Sequence, residues 1–300
     1  MVRLLHFSDI HVTAAPRSKS WREWCNKRLM GWINIRFLGR GARLAEAGRL
    51  TRLVHAEILQ RQPDAVIFSG DASLLGFSAE LEEAARLLGL AERAPCPGVA
   101  VPGNHDYYVA AAARSGAFER LFAPWQCGLR LSQRPYPFAC RIGPVWLIAL
   151  HAARPHVGFW DASGSVGASQ WQDLQKLCQK LDPGPRIAVC HYPLLTEQRR
   201  PEGWHRRLRD AADARRWIES CGISLWLHGH RHRWYYLDAG ADLPCPTIGA
   251  GSATQRGRAG YLEYRLDGPG LHVLRRAYDP DTGTFRDAEQ FQLVLRGLET

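Results

Sequence analysis

The feature that most constrains the fold of this chain is a recurring pattern in which a short apolar run ends at polar residues that can bind metal. Apolar runs lie at 2–7, 65–68, 99–101, 187–190 and 223–227. Two segments with helical periodicity, 44–59 and Ser78 to Leu88, lie between the first three runs. Ser78 is the predicted N-cap of the second helix. Strands that alternate with helices in this way predict parallel strand pairing and an α/β fold.

The second half continues this alternation and then changes character. A strand is predicted at 145–150, a capping box at 169–172 opens a helix, and a further helix spans 210–220. From 234 to 278 the β-type stretches are broken by Gly and Pro without a helical pattern, which predicts a more antiparallel sheet. No long polar linker divides the chain, so we expect residues 1–300 to form a single domain.

Composition limits the class of protein. With 300 residues and 46% hydrophobic content, the chain can bury a large core. The eight cysteines form no C-x-x-C pair and are expected to be reduced, which favours the cytoplasm. We find neither a signal peptide nor the roughly 18 consecutive apolar residues of a spanning helix. The net charge of +10 favours an anionic partner, whether nucleic acid, an anionic membrane surface or a phosphorylated substrate.

Oxygen and imidazole ligands follow five of the apolar runs. They are Asp9 and His11, then Asp71, then Asn104 with His105 and Asp106, then His191, and finally His230 and His232. Because loops at the carboxyl ends of parallel strands gather at one edge of a sheet, we expect these side chains to converge. Asp, His and Asn suit two divalent cations, and the lack of cysteine ligands argues against a structural zinc site. Two such ions can support hydrolysis of a phosphoester.

The ordered series D-x-H, G-D, G-N-H-D, a lone His191 and G-H-x-H resembles the calcineurin-like metallophosphoesterase family. The stretch from Gly164 to Gly167, followed by Gln170 and Leu174, is similar to the helix lead-in of its bacterial cyclic-nucleotide phosphodiesterase branch. The resemblance implies two packed mixed β-sheets flanked by helices, a four-layer α/β sandwich with the site at one edge.

The resemblance also implies a role for each motif residue. Asp9, His11, Asp71 and His232 would hold one metal ion, and Asp71, Asn104, His191 and His230 the other. The ions could be Mn, Fe, Zn or Mg, and a metal-bound hydroxide would attack phosphorus. His105 would serve as general acid or hydrogen-bond donor at the leaving group, with Asp106 orienting its ring.

Contacts to the substrate beyond the metals are predicted from residues that flank the motif loops. Arg154 and Arg231 could bind phosphate oxygens. His151 ends the strand at 145–150 and is either a substrate contact or a hydrogen-bonded turn residue. After Gly70 and Asp71 the chain carries Ala-Ser-Leu-Leu, where many relatives have another acidic residue.

A Trp- and Arg-rich insertion at about 18–42 separates the first metal motif from the first long helix. At helical pitch, an apolar cluster forms on one side: Trp21, Trp24, Cys25, Leu29, Trp32 and Ile33. Tryptophans flanked by arginines are typical of a helix that lies in a lipid headgroup layer. The alternative is a helix that caps the active site.

Several functions remain open at this point. The leading hypothesis is a phosphohydrolase that cleaves a phosphodiester or pyrophosphate bond, with the insertion favouring a lipid-linked nucleotide such as UDP-diacylglucosamine and a position on the inner face of the membrane. A soluble cyclic-nucleotide phosphodiesterase and a nuclease are the alternatives. A non-catalytic scaffold is disfavoured, since all seven predicted ligands and His105 are present.

Overall fold

The computed structural model describes residues 1–15, 21–37, 39–268 and 270–297. The strands within these ranges are β1 (Val2–Phe7), β2 (Ala65–Phe68), β3 (Gly98–Ala100), β4 (Phe138–Ile142), β5 (Val145–Leu150), β6 (Arg186–Cys190), β7 (Ile223–His228), β8 (Trp234–Leu237), β9 (Thr247–Ala250), β10 (Gly260–Asp267), β11 (Gly270–Asp279) and β12 (Thr284–Val294). The helices are α1 (Lys27–Phe37), α2 (Arg40–Arg43), α3 (Ala47–Arg61), α4 (Ser78–Leu87), α5 (Ala110–Ser115), α6 (Ala117–Leu121), α7 (Ala168–Cys178) and α8 (Ala211–Ser220).

The described strands form two mixed six-stranded sheets, as the resemblance implied. The first has the order β12-β11-β10-β1-β2-β3, in which β1, β2 and β3 are parallel and β10 to β12 are antiparallel neighbours. The second has the order β4-β5-β6-β7-β9-β8, with parallel pairing from β5 to β9 and antiparallel strands at both edges. The parallel strands of both sheets lead into the motif loops.

Three hydrophobic clusters build the four layers. Between the sheets, Leu4 and Ile67 of the first pack with Leu147 and Leu225 of the second. The outer face of the first sheet is covered by α3, α4 and α6, and that of the second by α7 and α8. Burial of these apolar faces is the main force that holds the sheets and helices together.

The helix starts differ from those predicted. The helix expected at 44–59 begins at Ala47, and the N-cap of α4 is Phe77, not Ser78. The start of α4 is instead stabilised by Glu80, because its carboxylate accepts hydrogen bonds from the backbone N–H groups of Leu75 and Phe77. The capping box predicted at 169–172 is wrong: α7 has Gly167 as its N-cap.

The β-rich character of the last third is confirmed, and it extends further than predicted. Strands β8 to β11 lie within 234–279, and β12 adds an eleven-residue strand after them. Strand β4 and the short helices α5 and α6 were not predicted, since they lie in a region without clear apolar periodicity. Among the residues described, none of the helices combines the length and apolar character that a membrane crossing requires.

The insertion forms a 3₁₀ turn at Trp21–Glu23 followed by α1, so the predicted cluster does not lie on one continuous helix. Residues 16–20 and Leu38 lie outside the described residues. The face of α1 that packs on the protein is polar: Lys27, Arg28 and Gly31 are buried. A Cβ atom at Gly31 would lie 2.6 Å from both Leu75 Cδ2 and the Tyr108 hydroxyl, so only glycine permits this approach.

The opposite face of α1 carries large apolar side chains into solvent. Trp32 is 41% exposed and Phe37 68% exposed, and Leu29 and Met30 are exposed beside them. Trp24 differs, because its ring is half-buried and packs 5.1 Å from the ring of Phe77. Helix α1 therefore has a charged inner face and an apolar outer face.

Candidate metal centre

The predicted ligands lie in loops at the carboxyl ends of β1, β2, β3, β6 and β7. Among the described residues, seven non-glycine residues have positive φ, and five of them are predicted ligands: Asp9, His11, Asp71, His230 and His232. This backbone conformation is unfavourable for side chains with a Cβ. Its concentration in these loops is typical of a functional site whose geometry the surrounding fold imposes.

The first group of ligands converges tightly. Asp9, His11, Asp71 and His232 each offer one donor atom, and these atoms all lie within 4.8 Å of one another. Asp9 Oδ1 lies 3.1 Å from His232 Nε2 and 3.7 Å from His11 Nε2. The two imidazole Nε2 atoms are 2.9 Å apart. The structure thus brings together the four residues predicted to hold the first ion.

The second group adjoins the first through Asp71. Asp71 Oδ2 lies 3.4 Å from His191 Nε2 and 3.8 Å from His11 Nε2, so it faces both groups. Asn104 Oδ1 is 3.3 Å from His191 Nε2 and 2.9 Å from His230 Nδ1. Asp71 has the position that a carboxylate bridging two ions requires.

The hydrogen bonds of the histidines show that the cluster fits cations. The Nδ1 atoms of His11 and His191 face the carbonyl oxygens of Ser73 and Ser69, and that of His232 faces Gln255 Oε1. Each must donate a proton to its acceptor, which leaves the Nε2 lone pairs directed at one another and at two carboxylates. Asp9 Oδ1 and His230 Nε2 are buried and have no hydrogen-bond partner among the described residues. Electron-pair donors that converge in this way suit divalent metal ions.

The electrostatics of the cluster agree with its donor chemistry at Asp9, Asp71 and His230 and differ at His191. Burial raises the pKa of Asp9 and of Asp71, but the surrounding histidines outweigh burial and hold both pKa values below their ordinary range. Burial, followed by Arg206, lowers the pKa of His230 well below normal. Ionised carboxylates and a neutral imidazole are the forms that bind metals. Burial lowers the pKa of His191, but Asp71 and then Asp9 outweigh burial and raise it to about 9, so an ion bound by His191 would have to displace a proton.

The ring of His105 is oriented by a backbone carbonyl. Its Nδ1 lies 2.6 Å from the oxygen of Leu74, its ring stacks on Tyr108 at 5.1 Å, and its edge meets His11. The backbone N–H of His105 donates to Asp71 Oδ1 at 2.8 Å. His105 is therefore fixed beside the ligand cluster.

The predicted contact between Asp106 and the His105 ring is not observed. The Asp106 carboxylate accepts hydrogen bonds of 2.9 Å from the backbone N–H groups of Asp71, Ser73 and Gly103, and one of 3.1 Å from the Ser73 hydroxyl. Burial and then Asp71 raise the pKa of Asp106 to about 7. Asp106 thus ties the Asp71 loop to the loop of the G-N-H-D motif.

Gly103 is required by this close packing. A Cβ atom at Gly103 would lie 2.1 Å from Asp71 Oδ1 and 2.5 Å from the Asp71 nitrogen. Any other residue would push the Asp71 carboxylate out of place. The glycine of the G-N-H-D motif therefore allows Asp71 to keep its position.

A polar cavity of about 540 Å³ opens over the cluster, with Asp71, Asn104, His105, His230 and His232 in its wall. Its other walls carry five basic residues: Lys27, Arg43, Arg206, Arg231 and Arg258. Of these, only Arg231 was predicted, and its guanidinium also pairs with Glu197 and Glu202. The other four basic residues are not predicted from the sequence, because they lie in separate segments and belong to no common motif. We call this space the polar cavity.

The other two predicted substrate contacts lie outside the wall of the polar cavity. Arg154 donates to the carbonyl oxygens of Ala153 and Val166, both at 3.0 Å. The ring of His151 is buried beside Tyr107 and Tyr136, and burial followed by Arg154 lowers its pKa to about 3. The backbone of His151 is bound on both sides by Gln170, the residue that follows the predicted helix lead-in from Gly164 to Gly167.

A second cavity, of about 530 Å³, adjoins the first and has a largely apolar wall. Its walls come from α1, the start of α5 and the loop at 155–159. Lys27 and Phe159 line both spaces. We call it the apolar cavity.

The family assignment follows from this arrangement and from a direct match. The calcineurin-like phosphoesterase family model matches residues 2–234, which is most of the chain and includes every predicted ligand. The chain belongs to the calcineurin-like phosphoesterase family. Family membership and the cluster support a hydrolase that acts on phosphoric ester bonds with two divalent metal ions. No curated protein matches the sequence.

Solved structures share the fold at low sequence identity. A dimetal phosphatase from Danio rerio superposes with a TM-score of 0.65 at 12% identity, over 98% of each chain. Purple acid phosphatase PPD1 from yellow lupin seeds gives a TM-score of 0.60 at 13% identity, over 98% of this chain and 53% of that one. PhoD gives 0.58 at 10% identity, over all of this chain and 72% of that one. These similarities show a common fold.

Proposed function

We propose that this protein hydrolyses a phosphodiester or pyrophosphate bond in a lipid-linked substrate, such as a nucleotide joined to a lipid, at the surface of a membrane. The observation that carries the proposal is the position of α1: its polar face borders the cavity over the ligand cluster, and its apolar face is exposed to solvent.

The proposed ligands of the first ion are Asp9, His11, Asp71 and His232, and those of the second are Asp71, Asn104, His191 and His230. Two divalent ions in such a site polarise the phosphoryl group and lower the pKa of a water molecule. The chain itself contributes His105, whose ring is held through Nδ1 by Leu74. Because Nδ1 donates to the Leu74 carbonyl, Nε2 carries a proton only in the imidazolium form, and in that form it can give a proton or a hydrogen bond to the leaving oxygen.

The charge of the polar cavity supports a substrate with several negative charges. Five basic side chains line it, against a single carboxylate residue in the same wall, Asp71. Arg43 and Arg258 have no ion-pair partner among the described residues and are available to phosphate oxygens. A pyrophosphate carries more charge than a simple diester and would use more of these groups.

The outer face of α1 supports a membrane partner. Met30, Trp32 and Phe37 are all exposed, and Arg36 lies beside Phe37, with its guanidinium 5.7 Å from that ring. Exposed aromatic and aliphatic side chains next to cationic ones are characteristic of helices that sit in a lipid headgroup layer. The net charge of +10 adds attraction to anionic lipids.

The test compares substrates and membrane binding in the same preparation. Metal-loaded protein should have a higher kcat/KM for a lipid-linked nucleotide pyrophosphate in anionic vesicles than for a cyclic nucleotide or single-stranded DNA. It should float with anionic liposomes at both low and physiological salt. A preference for the cyclic nucleotide with no flotation would replace the proposal with a soluble phosphodiesterase. A preference for DNA with a steep salt dependence would replace it with a nuclease.

A further inference from the structure

We propose that the apolar cavity binds an alkyl chain of the substrate, so that the chain lies beside the reacting phosphate and not only in the membrane. This inference rests on the proposed function and deepens it. It names a binding site that is separate from the metal ligands.

The walls of the apolar cavity have the composition of an alkyl site. Apolar side chains from three segments line it: Met30, Val109, Ala110, Ala111, Val157 and Phe159. These segments are α1, the beginning of α5 and the loop after β5. Concave sites lined mainly by apolar groups bind the apolar part of a ligand.

The neutral polar groups in the wall already have partners. Asn26 donates through Nδ2 to the carbonyl of Glu23 and accepts through Oδ1 from the N–H of Arg28. His156 is bound through Nε2 to the carbonyl of Ser163 and lies through Nδ1 3.4 Å from Asp161. Because these bonds are satisfied within the protein, a chain that replaces water in the cavity leaves none of them broken.

Lys27 marks the boundary between the two cavities. Its ammonium donates to the carbonyl of Asp161 and lies 4.7 Å from the centre of the Tyr108 ring, which in turn stacks on His105. Its aliphatic stem can contact an alkyl chain while the charged end faces a phosphate. An amphipathic substrate would therefore place its phosphate in the polar cavity and its chain past Lys27 and Phe159 in the apolar one.

The test uses a homologous series of soluble substrates without vesicles or detergent. These are 4-nitrophenyl phosphodiesters whose second ester group is methyl, butyl, octyl or dodecyl, each held below its micelle concentration. In wild-type protein we expect each added methylene to raise kcat/KM about two- to fourfold until the cavity is filled. Binding of methyl phosphate and dodecyl phosphate by calorimetry provides a second measurement that needs no turnover.

Ala111→Trp fills the apolar cavity from an exposed position on α5, where a large side chain does not disturb the core. It should remove most of the dependence on chain length, measured as the ratio of kcat/KM for the dodecyl ester to that for the methyl ester in the same variant. Arg114→Trp is the matched control, since it places the same ring on an exposed position of the same helix outside the cavity wall. It should retain the full dependence.

The outcomes separate this inference from the proposed function. If wild-type protein hydrolyses the methyl ester but kcat/KM does not rise with chain length, the alkyl site is overturned and the phosphohydrolase activity stands. An undiminished series in Ala111→Trp would also overturn it. If none of the esters is hydrolysed, the proposed function fails, and tighter binding of dodecyl than of methyl phosphate, lost in Ala111→Trp, would still support the alkyl site. Equal binding of the two phosphates would overturn it.

Discussion

The loops that carry the ligand cluster and the helix α1 beside them are held by different kinds of contact. The loops are fixed by a dense set of buried bonds, among them the four that Asp106 accepts from three residues. Helix α1 is held by its inner face, where Arg28 donates to the carbonyls of Leu75 and Gly76 at 3.0 and 2.6 Å. Its outer face is apolar and exposed. We therefore expect the ligand loops to govern the reaction and the outer face of α1 to govern the choice of substrate.

The two regions meet in the segment at 74–77. Glu80 holds it from α4 through Leu75 and Phe77, Arg28 holds it from α1, and the carbonyl of Leu74 orients His105. If the division between the two regions is correct, substitutions in the cluster should affect every substrate. Substitutions on the outer face of α1 should affect only membrane-bound ones.

The largest effect is expected from Asp71→Asn. Asp71 is the carboxylate that faces both ligand groups, so its loss should lower hydrolysis by at least about 10³-fold on all substrates and reduce the occupancy of both metal ions. Turnover assays with elemental analysis check this. Asp213→Asn on the surface of α8 is the control and should change neither value. An Asp71→Asn protein with two bound ions and normal turnover would contradict the assignment.

His105→Asn should reduce turnover by about 10²–10⁴-fold and leave metal content intact, because His105 contacts the cluster without belonging to either ligand group. The loss should shrink as the leaving group improves, since a good leaving group needs less proton transfer. A series of aryl phosphodiesters measures this trend. Equal losses across the series would point to a role for His105 in substrate positioning.

The double variant Trp32→Ser and Phe37→Ser tests the outer face of α1. Removing two exposed aromatic side chains should weaken partition into anionic liposomes by roughly 10- to 100-fold. Hydrolysis of a short soluble diester should stay unchanged. Leu129→Ser with Leu131→Ser removes two exposed apolar side chains elsewhere and is the control. Trp24 is left in place, since it packs on Phe77. Equal loss of liposome binding in both double variants would exclude a specific membrane face.

Arg28→Ala tests the inner face of α1. Loss of two hydrogen bonds from a buried guanidinium should lower the free energy of unfolding by roughly 1.5–3 kcal/mol. Because the segment that orients His105 loosens, kcat should fall about tenfold on soluble and lipid-linked substrates alike. Arg36→Ala, at an exposed position on the same helix, should leave stability and kcat on the soluble substrate unchanged. A loss confined to lipid-linked substrates would show that α1 does not support His105.

The smallest expected effect is a dependence of the free energy of unfolding on pH that comes from Glu80. Burial raises the pKa of Glu80 to about 7, against the lowering effect of the bonds from Leu75 and Phe77. A folded pKa above the ordinary value of 4.5 means that the folded protein retains a proton that the unfolded chain has released. The protonated Glu80 side chain therefore stabilises the folded protein fully below pH 4.5, and this stabilisation is lost as the pH rises through about 7.

Urea unfolding at several pH values checks this expectation in Glu80→Gln, a neutral variant of similar shape. Between pH 4.5 and about 7, the free energy of unfolding should fall less in the variant than in wild-type protein. Parallel pH profiles for the two proteins would show that Glu80 is ionised throughout.

The sequence was most informative where one short segment carries both a strand and its ligand. Asp9 lies two positions after the end of β1 and His191 directly after β6, so the local pattern predicts both the strand and the functional side chain. Contacts between segments that are distant in sequence could not be predicted from local pattern. Asp106 binds backbone groups that lie up to 35 positions away, and its role was assigned to the wrong partner.

Helix α1 shows a second limit. An apolar stripe usually predicts the face that packs on the protein, yet here Gly31 and Arg28 pack inward and Trp32 points outward. The basic wall of the polar cavity is a third case, since Lys27 and Arg258 lie far apart in sequence and only the fold brings them to one space.

The most direct test of a two-metal site is a metal titration of the stripped protein, followed by hydrolysis of bis(4-nitrophenyl) phosphate at each step. We expect two divalent ions to bind per chain, activity to reach its plateau at the second equivalent, and Asp71→Asn to abolish both results. Full activity in the metal-free protein, or a plateau at one equivalent that survives Asp71→Asn, would contradict the two-metal site.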